Sequence, residues 1–435
     1  MNKIFDQARA VLELNWQNGF TIPTHKLYPF QWNWDSGFIS LGNAYVHPER
    51  AIQELNSLFS GQWENGLLPH IIFHSETEDT YFPNFDFWDS KVNAGAPQSP
   101  KSSGITQPPV HGFILENLLQ QNKDDETYRA FAKEIFPRIV HYHRFLYTVR
   151  DPYREGLMYI FHPWESGRDN SPLWDESIDR IEIKPGDLPP YTRRDLNISN
   201  ASERPTNEQY DRYVYLLQLG KKYRYDGPEI AAESPFLIQD SMMNAILIKS
   251  NESLIRVGKE LGLDVAEIEE WQQQSIKTYK EKCWNEEIQL FTPYDLRAKK
   301  QIVAKEIGGF IPLYAGIPTA EQAQALHQHL TTLHDRGYYL CPSYDVDSPA
   351  FDSCRYWRGP IWPHMNWMIH YGLKKYGYEQ TAQIVKKDTL EIVEKFGFFE
   401  YFEPQKSLAQ QLSKGYGGDH FSWTASSIID FIHQT

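Results

Sequence analysis

The chain has 435 residues, 41% hydrophobic and 23% charged, with a net charge of −14; this suits a globular protein and argues against nucleic acid or an anionic membrane as partner. Its length allows two or three average domains or one large toroid or barrel. Three cysteines, Cys283, Cys341 and Cys354, without CxxC spacing argue against a disulfide framework or thiolate zinc site and predict a reducing, cytoplasmic setting.

From the N-terminus, Ile4, Ala8, Val11 and Leu12 fall at helical spacing, which predicts a helix rather than a signal peptide. No run approaches the ~18 apolar residues of a membrane span. The stretch YPFQWNWDSGF (28–38) follows, mixing aromatic rings with Gln31, Asn33 and Asp35. Rings stack on the C–H face of a sugar while amides and carboxylates take its hydroxyls. GLLPHIIFH and GITQPPVHG then offer His70, Gln107 and His111, each weak alone. Next, Phe131, Ile135, Ile139, Tyr142, Leu146 and Val149 form one helical stripe, with Pro137 as a predicted kink.

FHPWESGRDNSPLWD (161–175) places Glu165, Asp169 and Asp175 beside two tryptophans and Arg168. SERPTNEQYDRYVYL brings Arg204, Tyr210 and Arg212. Helical periodicity resumes from Asp240 through Met243, Ile246, Leu247, Leu254, Val257 and Leu261. Asp264 with Glu267, and Thr319 with Gln322, have the spacing of capping boxes at two further helix starts. CRYWRGPIWPHMNW (354–367) and FFEYFEPQ (398–405), the latter followed by GYGGDHFSWTA (415–425), close the set. Long loops rich in Pro, Gly and aromatics are expected at 18–38, 65–110, 161–207, 338–362 and 398–420, and loops of that length in a compact protein are usually functional. Many helices joined by alternating short and long loops predict an all-α toroid, one domain over 1–435, with the loops gathered at one end. Loops 65–110 and 161–207 are the expected lids.

Two loop carboxyls brought together across a cleft are what glycoside hydrolysis requires, one protonated by apolar surroundings and one ionised to activate water. Spacing alone leaves open which of Glu165, Asp169, Asp175, Glu400 and Glu403 these are. The aromatic content, 14% with 13 Trp and 26 Tyr, fits either large aromatic cores or a sugar-binding cleft.

The ordered set LYPFQWNWDSGF, WESGRDNSP, YWRGPIWPHMNW and EYFEP…FSWTA resembles glycoside hydrolase family 63, from about residue 12 to the end, and its order is similar to that in the family 37 trehalases. The resemblance implies an (α/α)6 barrel and an inverting α-glycosidase. In length and in RPTNEQYDRY the chain is most similar to the short bacterial members, which include mannosylglycerate and glucosylglycerate hydrolases. It implies Asp169 as general acid and Glu400 as general base, with Asp35 binding sugar hydroxyls or placing the attacking water. Tyr28, Gln31, Trp32, Gln107, Trp164, Tyr356, Trp357 and Trp362 are then the expected sugar pocket, with His70 a further candidate. Arg358 would hold the base loop or touch the sugar, and Arg204 with Tyr210 would hold a glycerate carboxylate. His420 departs from the glutamine of glucosylglycerate-type members and leaves the sugar open.

The expected substrate is thus a small glycoside with an anionic aglycone, hydrolysed without metal or organic cofactor; a homo-oligomer is left open. Three alternatives stand beside it: an α-glucosidase acting on a neutral disaccharide, a sugar 2-epimerase using paired histidines from His162, His364 and His420, and a non-enzymatic sugar-binding or sensing protein built on a retired hydrolase.

Overall fold

The computed structural model describes residues 2–25, 27–74, 81–197 and 200–433. Among them, twelve helices alternate between an outer and an inner ring: α1 (Asn2–Asn15), α2 (Asn33–Val46), α3 (Pro48–Ser60), α4 (His111–Gln121), α5 (Glu126–Thr148), α6 (Ser241–Leu261), α7 (Ala266–Cys283), α8 (Pro312–Ala315), α9 (Ala320–Asp335), α10 (Pro363–Lys375), α11 (Glu379–Phe396) and α12 (Ser422–His433). The even-numbered helices touch in sequence, α2 to α4, α4 to α6, α6 to α8, α8 to α10, α10 to α12, and α12 back to α2. Six inner helices therefore close on themselves, which is the (α/α)6 toroid expected from the sequence.

Composition explains which helix goes where. A helix apolar or small on all sides belongs inside, and an amphipathic one outside. In α2 every residue from Asn33 to Ala44 is buried. In α7, by contrast, only Ile268, Ser275, Tyr279 and Cys283 are buried. Each fully buried Leu, Ile or Phe of the inner ring contributes about 1.5–3 kcal/mol. Among the described residues no helix is long and apolar enough to cross a membrane.

Local signals hold with two corrections, at Asp264 and in loop 18–38. Thr319 and Gln322 form the expected capping box at α9. Asp264 does not pair with Glu267: the N-cap of α7 is Val265, Asp264 accepts from Ala266 N at 3.0 Å, and Glu267 turns outward to Arg144. α5 continues through Pro137, so the proline does not end the helix. The expected loop 18–38 ends early, because Gln31–Trp32 form strand β1 and α2 begins at Asn33.

Strand β1 pairs with β2 (Ile71–Phe73), which pairs with β3 (Lys101–Ser102), all antiparallel, with Gln31 opposite Ile72 and Ile72 opposite Ser102. This small sheet ties loop 65–110 to the entrance of α2. At the other end of the chain, isolated bridges Pro342–Ile361, Ile361–Phe402 and Tyr401–Tyr416 stitch loops 338–362 and 398–420 together. The segments so anchored all lead into inner helices. Residues 75–80 and 198–199 of the two expected lids lie outside the described residues.

Candidate active site

One cavity opens over the starts of the inner helices. Its walls include Tyr28, Trp32, Trp34 and Asp35 from the entrance to α2, His70 and Gln107 from the segments before β2 and α4, and Trp164 and Asp169 from the 161–175 loop. Arg194, Asp195, Arg204 and Tyr210 come from the 191–210 stretch, Tyr356 from the turn before α10, and Glu400 and Trp423 from the entrance to α12. Asp169 and Glu400, 231 positions apart by their numbers, thus face one space.

The 161–175 loop is braced so that one acid is left for the cavity. Glu165 is fully buried and turned inward, accepting from Arg150 at 2.9 Å, Phe161 N at 2.9 Å and Thr106 N at 3.3 Å. Arg168 is fully buried against Asp240 and Glu306. Between them Gly167 sits at φ 68°, and a Cβ there would lie 2.5 Å from the Trp34 indole. Only glycine accepts both the left-handed backbone and the close ring. Asp175 is held by both arms of Arg358, at 3.0 and 2.7 Å, and Arg358 also donates to the Asn170 carbonyl at 3.1 Å. Arg358 therefore clamps the loop carrying Asp169, not the loop carrying Glu400.

Glu400 is held differently. Its backbone pairs with Gly418, its Oε2 accepts from Gly418 N at 3.1 Å, and its Oε1 accepts from the Tyr28 hydroxyl at 3.1 Å. Gly417, at φ 70°, would put a Cβ 2.3 Å from Oε2, so the turn and the carboxylate fit only with glycine. Tyr28 also meets the Tyr356 hydroxyl at 3.1 Å and accepts from Arg204 Nη1 at 3.0 Å. Arg204 in turn lies over the Tyr356 ring and pairs with Asp195 at 3.3 Å.

Burial pushes both Asp169 and Glu400 up to about 7, against the downward pull of Arg204 on each. The two are not equivalent. Glu400 has two donors that favour its charged form, Gly418 N–H and Tyr28 O–H. Asp169 has its own backbone N–H and is pushed further up by the charge of Glu400. These partners favour the charged form at Glu400 and the neutral form at Asp169. Asp35, buried in the first turn of α2, is also raised well above the carboxylate range, by burial first and by Glu400 second. His70 is kept neutral by burial, with Nδ1 2.6 Å from Ser103 Oγ.

Five expected residues do not reach the cavity wall. Gln31 alternates away from Trp32 along β1, as strand geometry requires. Its amide is spent on Ser36, Glu54, Ser57 and His74 at 2.8–3.0 Å. Trp357 and Trp362 stack face to face at 3.7 Å, and Trp362 stacks on Tyr401, as a buried floor. Arg358 is engaged as above. His420 has its side chain 58% exposed, 3.6 Å from Asp419. Of the residues weighed for an epimerase, His162 and His364 are fully buried outside the wall. Residues missing from the sequence reading are Tyr81, Phe82, Arg194 and Asp195, while Phe421 stood within the quoted FSWTA motif. Trp34 and Trp423 stood within the quoted motifs; Tyr81 and Asp195 carried no local signal.

A helical toroid with two carboxyls of raised pKa facing one aromatic cavity defines an (α/α)6 glycosidase. The chain belongs to the family described as the mannosylglycerate hydrolase MGH1-like glycoside hydrolase domain, whose model matches residues 28–424. It is 43% identical to a mannosylglycerate hydrolase of Thermus thermophilus over 97% of this chain and 98% of that one. A glucosylglycerate hydrolase of Mycolicibacterium hassiacum is 32% identical, with 98% and 97% covered. The crystal structure of a GH63 mannosylglycerate hydrolase from Thermus thermophilus in complex with Tris and D-glycerate superposes with a TM-score of 0.92 at 42% identity, covering 99% of this chain and 100% of that one.

Proposed function

We propose that this enzyme hydrolyses a 2-O-α-glycosyl glycerate to free sugar and glycerate, with inversion. The observation that carries the reading is Arg204, a buried guanidinium on the wall of a cavity that also holds Asp169 and Glu400. A glycerate carboxylate gives such a cation a charge-assisted partner, whereas the hydroxyls of a neutral disaccharide accept only ordinary hydrogen bonds from it. Relatives named as hydrolases of mannosylglycerate and glucosylglycerate support the same substrate class.

In this mechanism Asp169, protonated, donates to the glycosidic oxygen as that bond breaks. Glu400, ionised, takes a proton from a water attacking the opposite face of the anomeric carbon. Inversion requires the two carboxyls to stand roughly 6.5–9.5 Å apart, leaving room for that water. Asp35 binds a sugar hydroxyl or helps place the water. Tyr28, Trp32, Gln107, Trp164 and Tyr356 line the sugar subsite, and Arg204 with Tyr210 holds the carboxylate. Arg358 acts on Asp169 through its loop.

The chain acts as one catalytic domain over 1–435, with loops 65–110 and 161–207 as the cap. Both contribute walls to the cavity, His70, Tyr81 and Gln107 from the first, Trp164, Asp169 and Arg204 from the second. The epimerase alternative needs two histidines facing the ligand, and His70 is the one histidine on the wall among the described residues.

The test is turnover of 2-O-α-mannosyl glycerate, 2-O-α-glucosyl glycerate and a neutral α-disaccharide such as trehalose. Release of free sugar and glycerate from at least one glycosyl glycerate, with a kcat/KM at least about tenfold above the disaccharide, a gap of about 1.4 kcal/mol, is expected. Preference for the disaccharide, or epimerised free sugar as the product, overturns the reading.

A further inference from the structure

Two arginines line the cavity, Arg194 and Arg204, and they differ in how far they are already engaged. Arg204 donates from Nε to Asp195 at 3.3 Å and from Nη1 to Tyr28 at 3.0 Å, and it covers the Tyr356 ring. Its fork is largely consumed by the protein. Asp195 is gripped a second time by Arg193, at 3.1 and 2.7 Å. Arg193 also donates to the Pro205 carbonyl at 2.9 Å and lies over the Tyr210 ring. The residues on either side of Arg194 are therefore both tied down, to each other and to the segment carrying Arg204. Arg194 itself has no hydrogen-bond or ion-pair partner among the described residues, and it is half-buried on the cavity wall.

We infer that Arg194 is a specificity-determining residue for the anionic aglycone, donating to the substrate carboxylate that Arg204 holds from behind. This rests on the glycosyl glycerate reading above. Asp195 is the reason a second cation is needed: its carboxylate already faces Arg204 and repels a second anion at the same guanidinium. Arg194 supplies an uncommitted fork on the same cavity wall, between two neighbours, Arg193 and Asp195, that are paired to each other. Asp195 stays ionised because Arg193 and then Arg204 outweigh its burial.

The experiment compares 2-O-α-mannosyl glycerate (or the glucosyl substrate, if preferred) with the matching glycosyl glycerol, in which the carboxylate is a CH2OH group. The measured quantity is the ratio of kcat/KM, anionic over neutral, in the wild type, Arg194→Ala and Arg194→Lys. Removing one charge-assisted donor is expected to lower that ratio about 10- to 100-fold in Arg194→Ala. The loss falls mainly in KM, and Arg194→Lys recovers part of it because the charge remains without the fork. The inhibition constant of D-glycerate should rise by a similar factor, a readout independent of turnover. An unchanged ratio and inhibition constant, or equal losses on both substrates, overturn the assignment of Arg194 alone. A wild type that shows no preference for the carboxylate overturns the underlying reading as well.

Discussion

Tyr28 and Glu400, 372 positions apart in sequence, meet in a 3.1 Å hydrogen bond from the phenol to Oε1. Behind it Arg204 donates to the same phenol at 3.0 Å. The carboxylate expected to activate water is thereby linked through one tyrosine to the arginine expected to hold the aglycone. This link favours the ionised form of Glu400, although burial raises Asp169 and Glu400 alike.

Tyr28→Phe should act through Glu400. Loss of a donor to the charged form raises the pKa of Glu400, so less of it is ionised at any given pH. The acidic limb of the kcat/KM profile, set by the base, should move to higher pH, and activity at pH 6 should fall about tenfold. A pH series on both enzymes checks this. An acidic limb at the same pH as in the wild type would contradict it.

Asp169→Asn should abolish most activity on a glycosyl glycerate while sparing substrates whose leaving group needs no proton. The loss should be about 10²–10⁴-fold on the natural type of substrate and far smaller on a 4-nitrophenyl α-glycoside. Equal losses on both would contradict the general-acid role.

The same carboxyls make a prediction about stability. Glu54, Asp169 and Glu400 are each raised to about 7, largely by burial, above the ~4 of an unfolded carboxyl. The folded chain therefore keeps protons that the unfolded chain releases between about pH 4 and 7. Their stabilising contribution is complete below about pH 4 and is lost as pH rises through 7. Asp169→Asn removes one such buried charge, so its Tm relative to the wild type should be higher at pH 8 than at pH 5, by at least about 2 °C. Thermal melts at the two pH values test it; a constant difference would contradict it.

Arg168→Met should be among the most damaging substitutions outside the cavity. It strips the partner from Asp240 and Glu306, two fully buried carboxylates. Breaking a buried pair from one side costs about 3–5 kcal/mol. Denaturant unfolding should show that loss, and a change under about 1 kcal/mol would contradict it.

Much of the ring was legible in the sequence because apolar residues recur at helical spacing in the outer helix Glu126–Thr148 and the inner helix Ser241–Leu261 alike. Ser241–Leu261 and Ala320–Asp335 begin within a residue of their capping signals. What stood beyond sequence reasoning was orientation inside a motif. Gln31 and Trp32 are neighbours in YPFQWNWDSGF, yet strand alternation sends the ring to the cavity and the amide to Glu54. Trp357 and Trp362 looked like pocket walls but stack on each other in the buried floor, a pairing that only the tertiary fold brings about. Glu165, Asp169 and Asp175 were equal by spacing. Burial of Glu165 against Arg150 and the grip of Arg358 on Asp175 separate them, and only tertiary partners supply that information. Tyr81 and Asp195 belong to long loops without periodicity, so no local pattern could place them.

The account turns on Asp169 and Glu400 acting from opposite faces of the anomeric carbon. The most direct measurement is proton NMR of 2-O-α-mannosyl glycerate, or its glucosyl counterpart, during the first minutes of hydrolysis, before mutarotation. With inversion, the β anomer of the free sugar appears first and decays toward equilibrium. First appearance of the α anomer would contradict it, because retention requires a nucleophile on the sugar in place of a base on the water.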